Sequence, residues 1–343
     1  MIKLSIEDAM IRALELALKG PTKGVNPQVG AVILDSSGAV IGEGFHNGSG
    51  TPHAEVIALE EALSGARTLP AGSVAVVTLE PCNHTGKTGP CTQALIEAGV
   101  SKVVFASSDP GENSGGGATT LREAGIEVES GVLQERADQQ SRVWLTASKN
   151  QRPFVTLKWA SSLDGRAAAQ DGSSKWISGE QSRADAHRRR SEVDAIVVGT
   201  GTALIDDPEL TARKTDGSLH ESQPLRVVLG TRELPSNLRV FNSDAETVTI
   251  KTQSIHGALE ELFQRGIKHV FVEGGPTLAS RFVQMDLVDE FVVYLAPKLI
   301  GGEKLAIGSI DVPSIDQAKA LAFQEVRKLG EDVLIVATPV REN

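Results

Sequence analysis

The sequence predicts two α/β domains in tandem. Its 343 residues suit two domains of roughly 100 to 200 residues each. Short apolar strands alternate with amphipathic helices in both halves, the pattern of sheets covered by helices. A polar segment that ends in proline, Lys149 to Pro153, separates the halves. We therefore expect domains at residues 1–149 and 152–343.

The first half opens with a helix and a hairpin. Leu4 to Leu18 has apolar residues at helical spacing, with Ser5 and Asp8 as a capping pair and Gly20 as a stop. Further elements follow in order: strands Ala31 to Leu34 and Val40 to Ile41, helix His53 to Leu63, strand Val74 to Leu79, helix Thr92 to Ala98, strand Val103 to Ala106, loop Ser107 to Gly117 and helix Val132 to Ala147. This order predicts a sheet with helices on both faces.

The second half is a different α/β pattern, and it does not repeat the first. The predicted strands are Phe154 to Ala160, Ala195 to Val198, Arg226 to Leu229, His269 to Glu273, Glu290 to Leu295 and Val333 to Ala337. The predicted helices are Glu180 to Arg190, Ile255 to Arg265 and Thr277 to Met285.

The amino-acid composition indicates which kinds of molecule the protein can bind. The formal net charge is −10, with 40% hydrophobic and 23% charged residues. Such acidity disfavours nonspecific nucleic-acid binding and suits a small-molecule substrate. The N-terminus lacks signal-peptide and transit-peptide character, and no stretch is long and apolar enough for a membrane span. We expect a cytoplasmic protein without a membrane partner, whose two cysteines are reduced thiols.

His53, Cys82 and Cys91 are candidate metal ligands. One imidazole and two thiolates supply three ligands to tetrahedral zinc and leave a fourth position for water, as in a catalytic site. Zinc nucleobase deaminases combine H-x-E with P-C-x-x-C, the Glu acting as proton shuttle. Here His53-Ala54-Glu55 and Pro81-Cys82 match, although eight residues separate the two cysteines. The alternative is that the cysteines are buried apolar residues and His53 an ordinary helix-start residue.

Helix geometry constrains this site. Positions i and i+2 of a regular helix point to nearly opposite sides, so we expect His53 at the helix boundary, where it and Glu55 can face one metal. A helix N-terminus near the cysteines favours the thiolate form.

These residues resemble the bifunctional deaminase-reductase family of riboflavin biosynthesis. The segments that carry the resemblance are Asn26 to Gly30, Gly44 to His46, Pro52 to Glu55, Glu80 to Cys91, Leu157 to Arg166, Ser174 to Ile177, Gly199 to Thr202, Asp206 to Arg213 and Glu273 to Leu278. The resemblance implies a cytidine-deaminase-like three-layer α/β/α domain followed by a dihydrofolate-reductase-like α/β domain.

For the first domain, the resemblance implies zinc-hydroxide deamination of 2,5-diamino-6-(5-phosphoribosylamino)pyrimidin-4(3H)-one. Glu55 would be the catalytic proton carrier, and His53, Cys82 and Cys91 would bind Zn²⁺. Asn26 would position the ring. His46, His84 and Lys87 are candidate contacts to ring or phosphate, or equally solvated loop residues.

The second domain contains a glycine loop that can be interpreted physically. A strand ends at Glu273, Gly274 and Gly275 allow close backbone approach, and a helix begins near Pro276. Backbone N–H groups at such a helix start suit dinucleotide phosphates. Gly-Gly before a helix is more often only a turn, so the cofactor assignment rests on the resemblance.

The resemblance implies an NADPH-dependent reductase that converts the ribosyl group into a ribityl chain, giving 5-amino-6-(5-phosphoribitylamino)uracil. The implied NADPH contacts are Ala160, Trp176, Thr202, Asp206, Gly275, Pro276, Thr277, Leu278, Ala279, Ser280 and Arg281. The implied substrate contacts are Ser174, Arg190, Leu210, Arg213 and Glu273, with Lys158 a polar group near hydride transfer. Arginine pairs well with a sugar phosphate, whereas we interpret Arg188 and Arg189 as a solvated helix face.

Two alternatives remain open. The chain could be a zinc deaminase of another nucleobase or nucleoside whose second domain only binds, or a non-catalytic module stabilised by zinc. The expected partner is a small phosphorylated pyrimidine, with no nucleic acid, and the expected assembly is a homo-oligomer, dimer or tetramer.

Overall fold

The computed structural model describes residues 2–84, 89–111 and 114–340. The chain divides into two units, Met1–Gln151 and Arg152–Asn343, and each has its own sheet. No helix in the described ranges has the length and apolarity that a membrane crossing requires.

The first unit is built on a sheet with the strand order β2-β1-β3-β4-β5 in its described part. Strand β1 pairs antiparallel with β2 and β3, while β3, β4 and β5 are parallel. The elements are α1 (Ile6–Ala17), β1 (Gly30–Leu34), β2 (Val40–Phe45), α2 (Ala54–Leu63), β3 (Val74–Leu79), α3 (Cys91–Glu97), β4 (Lys102–Ser107), α4 (Gly117–Glu123), β5 (Glu127–Ser130), α5 (Gln134–Gln140) and α6 (Arg142–Asn150).

Alternation along β1 explains the three layers. Ala31 and Ile33 face a core formed with α2, α3 and α4, whereas Val32 and Leu34 face a core formed with α1 and α5. All five residues of β1 are buried. A strand covered on both faces has apolar residues at successive positions, as the sequence shows. The predicted three-layer α/β/α domain is confirmed.

Some elements differ from the sequence prediction. The segment Val132 to Ala147, predicted as one helix, forms two, α5 and α6, which meet at Ser141. Helix α6 continues to Asn150, so the first residues of the predicted linker are helical. Helix α4 and strand β5 were not predicted. Strand β5 has the sequence Glu-Val-Glu-Ser and is largely exposed, so it lacks the apolar pattern of a strand.

The second unit has a sheet whose described strands follow the order β12-β13-β11-β6-β10-β7-β8-β9. The strands from β11 through β9 run parallel, and β13 and β12 complete one edge antiparallel. The elements are β6 (Phe154–Ser162), α7 (Glu180–Ser191), β7 (Ala195–Gly199), α8 (Thr200–Asp206), β8 (Leu225–Leu229), β9 (Thr247–Ile250), α9 (Ile255–Gln264), β10 (His269–Val272), α10 (Pro276–Gln284), β11 (Glu290–Ala296), β12 (Leu321–Leu329) and β13 (Asp332–Pro339).

Buried cores lie on both faces of this sheet. Val197 and Val227 belong to the core that α9 and α10 cover, while Ile196 and Val228 belong to another core that includes Ala203 of α8. The predicted α/β domain is confirmed. Strands β9 and β12 and helix α8 were not predicted. Helix α8 is short, and most of β12 is exposed, so neither shows a strong apolar period.

Two glycines let α2 lie close to β2. A Cβ atom on Gly42 would lie 2.1 Å from the carbonyl oxygen of Ala58, and one on Gly44 would lie 2.2 Å from that of Ala54. Both distances are too short for any side chain, since the obstacle is backbone. The close approach fixes the N-terminus of α2, where His53 and Glu55 lie.

We expect Gly44→Ala to destabilise the first unit by about 1 to 3 kcal/mol, because the added methyl group must push α2 away from β2. It should also lower zinc occupancy, since His53 precedes the displaced helix. Calorimetric unfolding and metal analysis would measure both effects. Gly89→Ala is the control, because a Cβ there meets no atom of the described residues within 4 Å. Equal stability of the two variants would contradict this account of α2.

Candidate active sites

The three predicted metal ligands converge in the first unit. His53 precedes α2, Cys82 follows β3, and Cys91 is the first residue of α3. The Nδ1 atom of His53 lies 3.1 Å from the sulfur of Cys91 and 3.5 Å from that of Cys82. All three donor atoms lie within 4.8 Å of one another. One nitrogen and two sulfurs at this spacing fit a zinc ion that keeps a fourth position for water.

The backbone at His53 allows it to share a site with Glu55. His53 is the N-cap of α2 and is extended, with φ −73° and ψ 162°. The helix begins after it, so the two side chains are not constrained to opposite sides. The prediction that His53 lies at the helix boundary is confirmed.

Local contacts favour the thiolate of Cys82. The backbone N–H of Cys91, at the start of α3, donates to the Cys82 sulfur at 3.4 Å. Contact with the Cys91 thiol and with His53 lowers the pKa of Cys82 to about 4, whereas the same pair contact and burial raise the pKa of Cys91. A divalent metal would stabilise both as thiolates.

Glu55 is a buried carboxyl group beside the three ligands. Only 4% of it is exposed. Burial raises the pKa of Glu55 to about 7. A carboxyl group with such a pKa can both accept and release a proton near neutral pH, as general acid-base chemistry requires.

His53, Glu55 and Cys82 line a cavity of about 320 Å³. Asn26 and His46 form another part of its wall, with 2.8 Å between Asn26 Nδ2 and His46 Nε2. Nδ1 of His46 lies 3.1 Å from the carbonyl oxygen of Pro52. Burial lowers the pKa of His46, so a neutral ring that donates from Nδ1 and accepts at Nε2 satisfies both contacts. His46 therefore orients the Asn26 amide.

Two further residues, His84 and Lys87, were predicted to contact the ring or the phosphate. His84 lines the cavity and is exposed. Lys87 lies outside the described residues.

Two carboxyl groups in the cavity wall were missed. Glu80 accepts hydrogen bonds from the backbone N–H groups of Asp109 at 3.2 Å and Ala118 at 2.9 Å. Asp109 accepts one from the Gly111 N–H at 2.8 Å, and burial raises its pKa. Both residues follow parallel strands, β3 and β4, at the sheet edge where ligands commonly bind. The sequence did contain a signal for them, since each follows a predicted strand.

In the second unit, Glu273 lies between two cations. Its carboxylate accepts from Arg190 Nε at 2.5 Å, from Arg190 Nη2 at 3.0 Å and from Lys158 Nζ at 3.2 Å. Strands β6 and β10 pair with Leu157 opposite Val272, which brings Lys158 beside Glu273. Burial raises the pKa of Glu273, but the two cations outweigh it and lower the pKa to about 2. The structure thus brings these three predicted substrate residues together.

A buried tyrosine, also missed, lies beneath Lys158. The ammonium nitrogen is 5.8 Å from the centre of the Tyr294 ring, and the Tyr294 hydroxyl donates to Asp185 at 2.7 Å. Arg189 pairs with the same carboxylate at 2.9 Å and is only 16% exposed. The prediction that Arg189 belongs to a solvated face is wrong, because Asp185 holds it inward. Arg188 pairs with Asp185 too, but its side chain is half exposed.

The segment with Leu210 and Arg213 is anchored by Arg226, which sequence reasoning did not select. Arg226 is fully buried and donates to the carbonyl oxygens of Glu209, Asn242 and Ala245. Leu210 is buried with φ 53°, and Arg213 donates to Glu209 at 2.5 Å and to the carbonyl of Gly217 at 3.0 Å. An arginine in the apolar run of β8 was the only sequence signal.

The predicted cofactor loop meets α8. The Gly275 N–H donates to the hydroxyl of Thr202 at 3.0 Å, and Pro276 begins α10. Ala160 lies on β6 and Ser174 is half-buried in the segment before α7. Trp176 is 64% exposed, with the Arg183 guanidinium 4.7 Å from its ring centre, and Asp206 is exposed at the end of α8.

Comparisons with known proteins assign a family to each unit. Residues 4–107 match the family described as the cytidine and deoxycytidylate deaminase zinc-binding region, and residues 153–335 match the RibD C-terminal domain. The chain is 48% identical to the riboflavin biosynthesis protein RibD of Mycobacterium tuberculosis and 37% identical to that of Escherichia coli. The alignments cover 96% of both chains for the first, and 95% of this chain and 97% of the relative for the second.

Two solved structures are similar to this chain over nearly its whole length. RibD of Acinetobacter baumannii is 36% identical, with a TM-score of 0.86 over 98% of this chain and 99% of that one. A diaminohydroxyphosphoribosylaminopyrimidine deaminase/5-amino-6-(5-phosphoribosylamino)uracil reductase from Thermotoga maritima is 35% identical, with a TM-score of 0.82 and the same coverage.

We expect Cys82→Ser to lose most of its zinc, because the variant keeps one thiolate and one imidazole and a serine hydroxyl is a poor zinc ligand. Metal analysis of the purified protein would measure the ratio of zinc to chain. His84→Asn is the control, since it changes an exposed cavity residue that is not one of the three donors. A folded Cys82→Ser protein with full zinc content would refute the ligand assignment.

We expect Glu273→Gln to destabilise the second unit by about 3 to 5 kcal/mol near neutral pH, because it leaves two cations without their buried partner. The pKa of Glu273 is lower in the folded chain than its ordinary value of 4.5. Its ionised form therefore contributes full stability above about pH 4.5, and this contribution fades as the pH falls toward about 2. Calorimetry between neutral and acidic pH should show a weaker acid dependence in the variant.

Glu260→Gln, an exposed change on α9, is the control for this experiment. An unchanged stability of Glu273→Gln near neutral pH would mean that the two cations do not depend on Glu273.

Proposed function

Because the chain belongs to the RibD family of bifunctional deaminase/reductase enzymes of riboflavin biosynthesis, we propose a specific reaction for each unit. The first unit removes the 2-amino group of 2,5-diamino-6-(5-phosphoribosylamino)pyrimidin-4(3H)-one. The second reduces the ribosyl group of the product with NADPH, giving 5-amino-6-(5-phosphoribitylamino)uracil. The name of the Thermotoga maritima relative describes this pair of activities.

The observation that carries the deaminase proposal is the convergence of His53, Cys82 and Cys91 beside buried Glu55, at a cavity that His53, Glu55 and Cys82 line. These three side chains would hold zinc, which supplies an activated water when bound. The reaction consumes one water and releases one ammonia. The Glu55 carboxylate takes a proton from the water and delivers it to the departing amine, so that a ring carbonyl remains.

The cavity wall would orient the pyrimidine. Asn26 is held by neutral His46, so its amide is fixed before substrate arrives. Asp109 lies in the same wall, where its half-buried carboxyl group can accept a hydrogen bond from a ring N–H or amino group. Fixed polar groups of this kind reduce the entropy lost on reaching the reactive geometry.

For the reductase, Lys158 and Glu273 are the central groups. NADPH supplies the hydride when bound, and the sugar carbon that accepts it must gain a proton on its heteroatom. The Lys158 ammonium, held by Glu273 and the face of the Tyr294 ring, can donate that proton or a hydrogen bond. Arg190 and Arg213 are the candidate partners of the substrate phosphate.

The comparisons favour this hypothesis over both alternatives. A second domain that only binds would not be expected to match a reductase family along 153–335. A non-catalytic zinc module would not require a buried carboxyl group beside the ligands.

We expect Glu55→Gln to slow deamination by roughly 10²- to 10⁴-fold, because the amide cannot carry the proton. The zinc-loaded variant would be incubated with the diaminopyrimidinone ribosyl phosphate, and its products followed by mass spectrometry with and without NADPH. The wild type should exchange the amine for oxygen without cofactor, and then gain two hydrogens when NADPH is added. The variant should still reduce substrate that has already been deaminated.

Glu60→Gln is the matched control, because it removes an exposed carboxylate from the same helix. If the folded Glu55→Gln protein lost both activities, the two sites would not be independent. If the zinc-loaded wild type produced neither mass change, the proposed substrate would be wrong.

A further inference from the structure

A second cavity, of about 290 Å³, lies at the carboxyl ends of parallel strands in the second unit. We call it the arginine cavity, because two arginines are among its lining residues. It is lined by Thr200, Leu229, Gly230, Thr231, Arg232, Thr252, Gln253, Ile255, Leu278 and Arg281. None of these belongs to the Lys158, Glu273 and Arg190 group.

The arginine cavity is continuous with the predicted cofactor loop. Leu278 and Arg281 belong both to its wall and to the segment Gly275 to Arg281. Thr200, at the start of α8, lies two residues before Thr202, which accepts the hydrogen bond from the Gly275 N–H. A ligand whose phosphates sit at the N-terminus of α10 would therefore reach the cavity directly.

The strand order places the arginine cavity at a distance from the group formed by Lys158, Glu273 and Arg190. Glu273 follows β10, whereas Gly230 to Arg232 follow β8 and Thr252 and Gln253 follow β9. Neighbouring strands are about 4.8 Å apart, and β7 separates β10 from β8, so the cavity begins roughly 10 Å along the sheet edge from Glu273. A dinucleotide with its nicotinamide near Lys158 would extend its adenosine half to this position.

The charges in the cavity are positive. The Arg232 side chain lies beside Gly201, where an added Cβ would be 3.9 Å from both terminal guanidinium nitrogens. Arg281 donates to the Gln253 carbonyl at 3.0 Å, which holds its side chain at the cavity. No carboxylate appears among the lining residues. The adjacent Glu233 pairs with Lys251 at 3.0 Å instead.

We propose that Arg232 and Arg281 bind the 2′-phosphate of the NADPH adenosine and make the reductase select NADPH over NADH. In dinucleotide sites of parallel sheets, an arginine near a strand end accommodates the 2′-phosphate, whereas an acidic residue binds the free 2′-hydroxyl of NADH. The arginine cavity offers two guanidinium groups to the dianion and no acidic partner to the hydroxyl. This inference rests on the proposed reductase function.

The test is equilibrium binding, measured by titration calorimetry on the zinc-loaded full chain. The ligands are NADP⁺, NAD⁺, adenosine 2′,5′-bisphosphate and AMP. We expect the wild type to prefer the ligands that carry a 2′-phosphate. Arg232→Gln should weaken NADP⁺ and the bisphosphate by about ten- to hundredfold, because a charge-assisted hydrogen bond is lost. Binding of NAD⁺ should not change, and Arg232→Lys should retain part of the preference.

Arg265→Gln is the matched control, because it removes the same charge from the second unit at the end of α9, where Arg265 pairs with Glu261. It should bind all four ligands as the wild type does. Arg281→Gln should resemble Arg232→Gln in its effect on the 2′-phosphate preference.

The outcomes separate this inference from the function on which it rests. If Arg232→Gln weakened NADP⁺ and NAD⁺ equally, or kept the full preference, the assignment of the 2′-phosphate would be wrong while the reductase proposal stood. A wild type that bound NAD⁺ as tightly as NADP⁺ would overturn the assignment in the same way. If the wild type bound neither dinucleotide, the cofactor proposal would fail and this inference with it.

Discussion

Parallel pairing of strands governs where chemistry is placed in both units. Parallel strands bring their carboxyl ends to one edge of a sheet, and the segments that follow them meet there. In the first unit Cys82 and Asp109 follow β3 and β4, and in the second Glu273 follows β10. Residues distant in sequence therefore share a site without any special local conformation. The helices then contribute their first residues, His53 and Cys91 among them, to the same region.

Buried charge is the second constraint, and the chain satisfies it in several ways. Glu273 is compensated by two cations, whereas Glu80 accepts hydrogen bonds from two backbone N–H groups. Glu55 shows the third solution, since burial raises its pKa to about 7 and the group can lose its charge near neutral pH. The same glutamate side chain is therefore accommodated in three different ways, because its surroundings differ.

Sequence reasoning succeeded where residue type and local pattern were sufficient. The spacing of His53, Glu55, Cys82 and Cys91, together with helix starts, predicted a cluster that the structure assembles. It failed where tertiary contacts decide the outcome. Asp185 draws Arg189 inward from a helix that looked polar on every side, and nothing near Tyr294 in the sequence indicates that its ring lies beneath Lys158. Short or exposed elements such as α8 and β12 were not predicted, because the periodicity of their apolar residues is weak.

The anchoring of the Leu210 segment by Arg226 has a consequence for how this enzyme can vary. Arg226 binds mainly carbonyl oxygens of the backbone, with the side chain of Asn242 as an added acceptor. Every residue offers a carbonyl, so the contacts of Arg226 to the backbone do not depend on which side chains the anchored residues carry. The arginine itself cannot be replaced so freely, because a shorter or neutral side chain leaves several acceptors unsatisfied. Substitutions in these loops can therefore change the substrate preference, while the buried guanidinium of Arg226 preserves the backbone geometry of the loops.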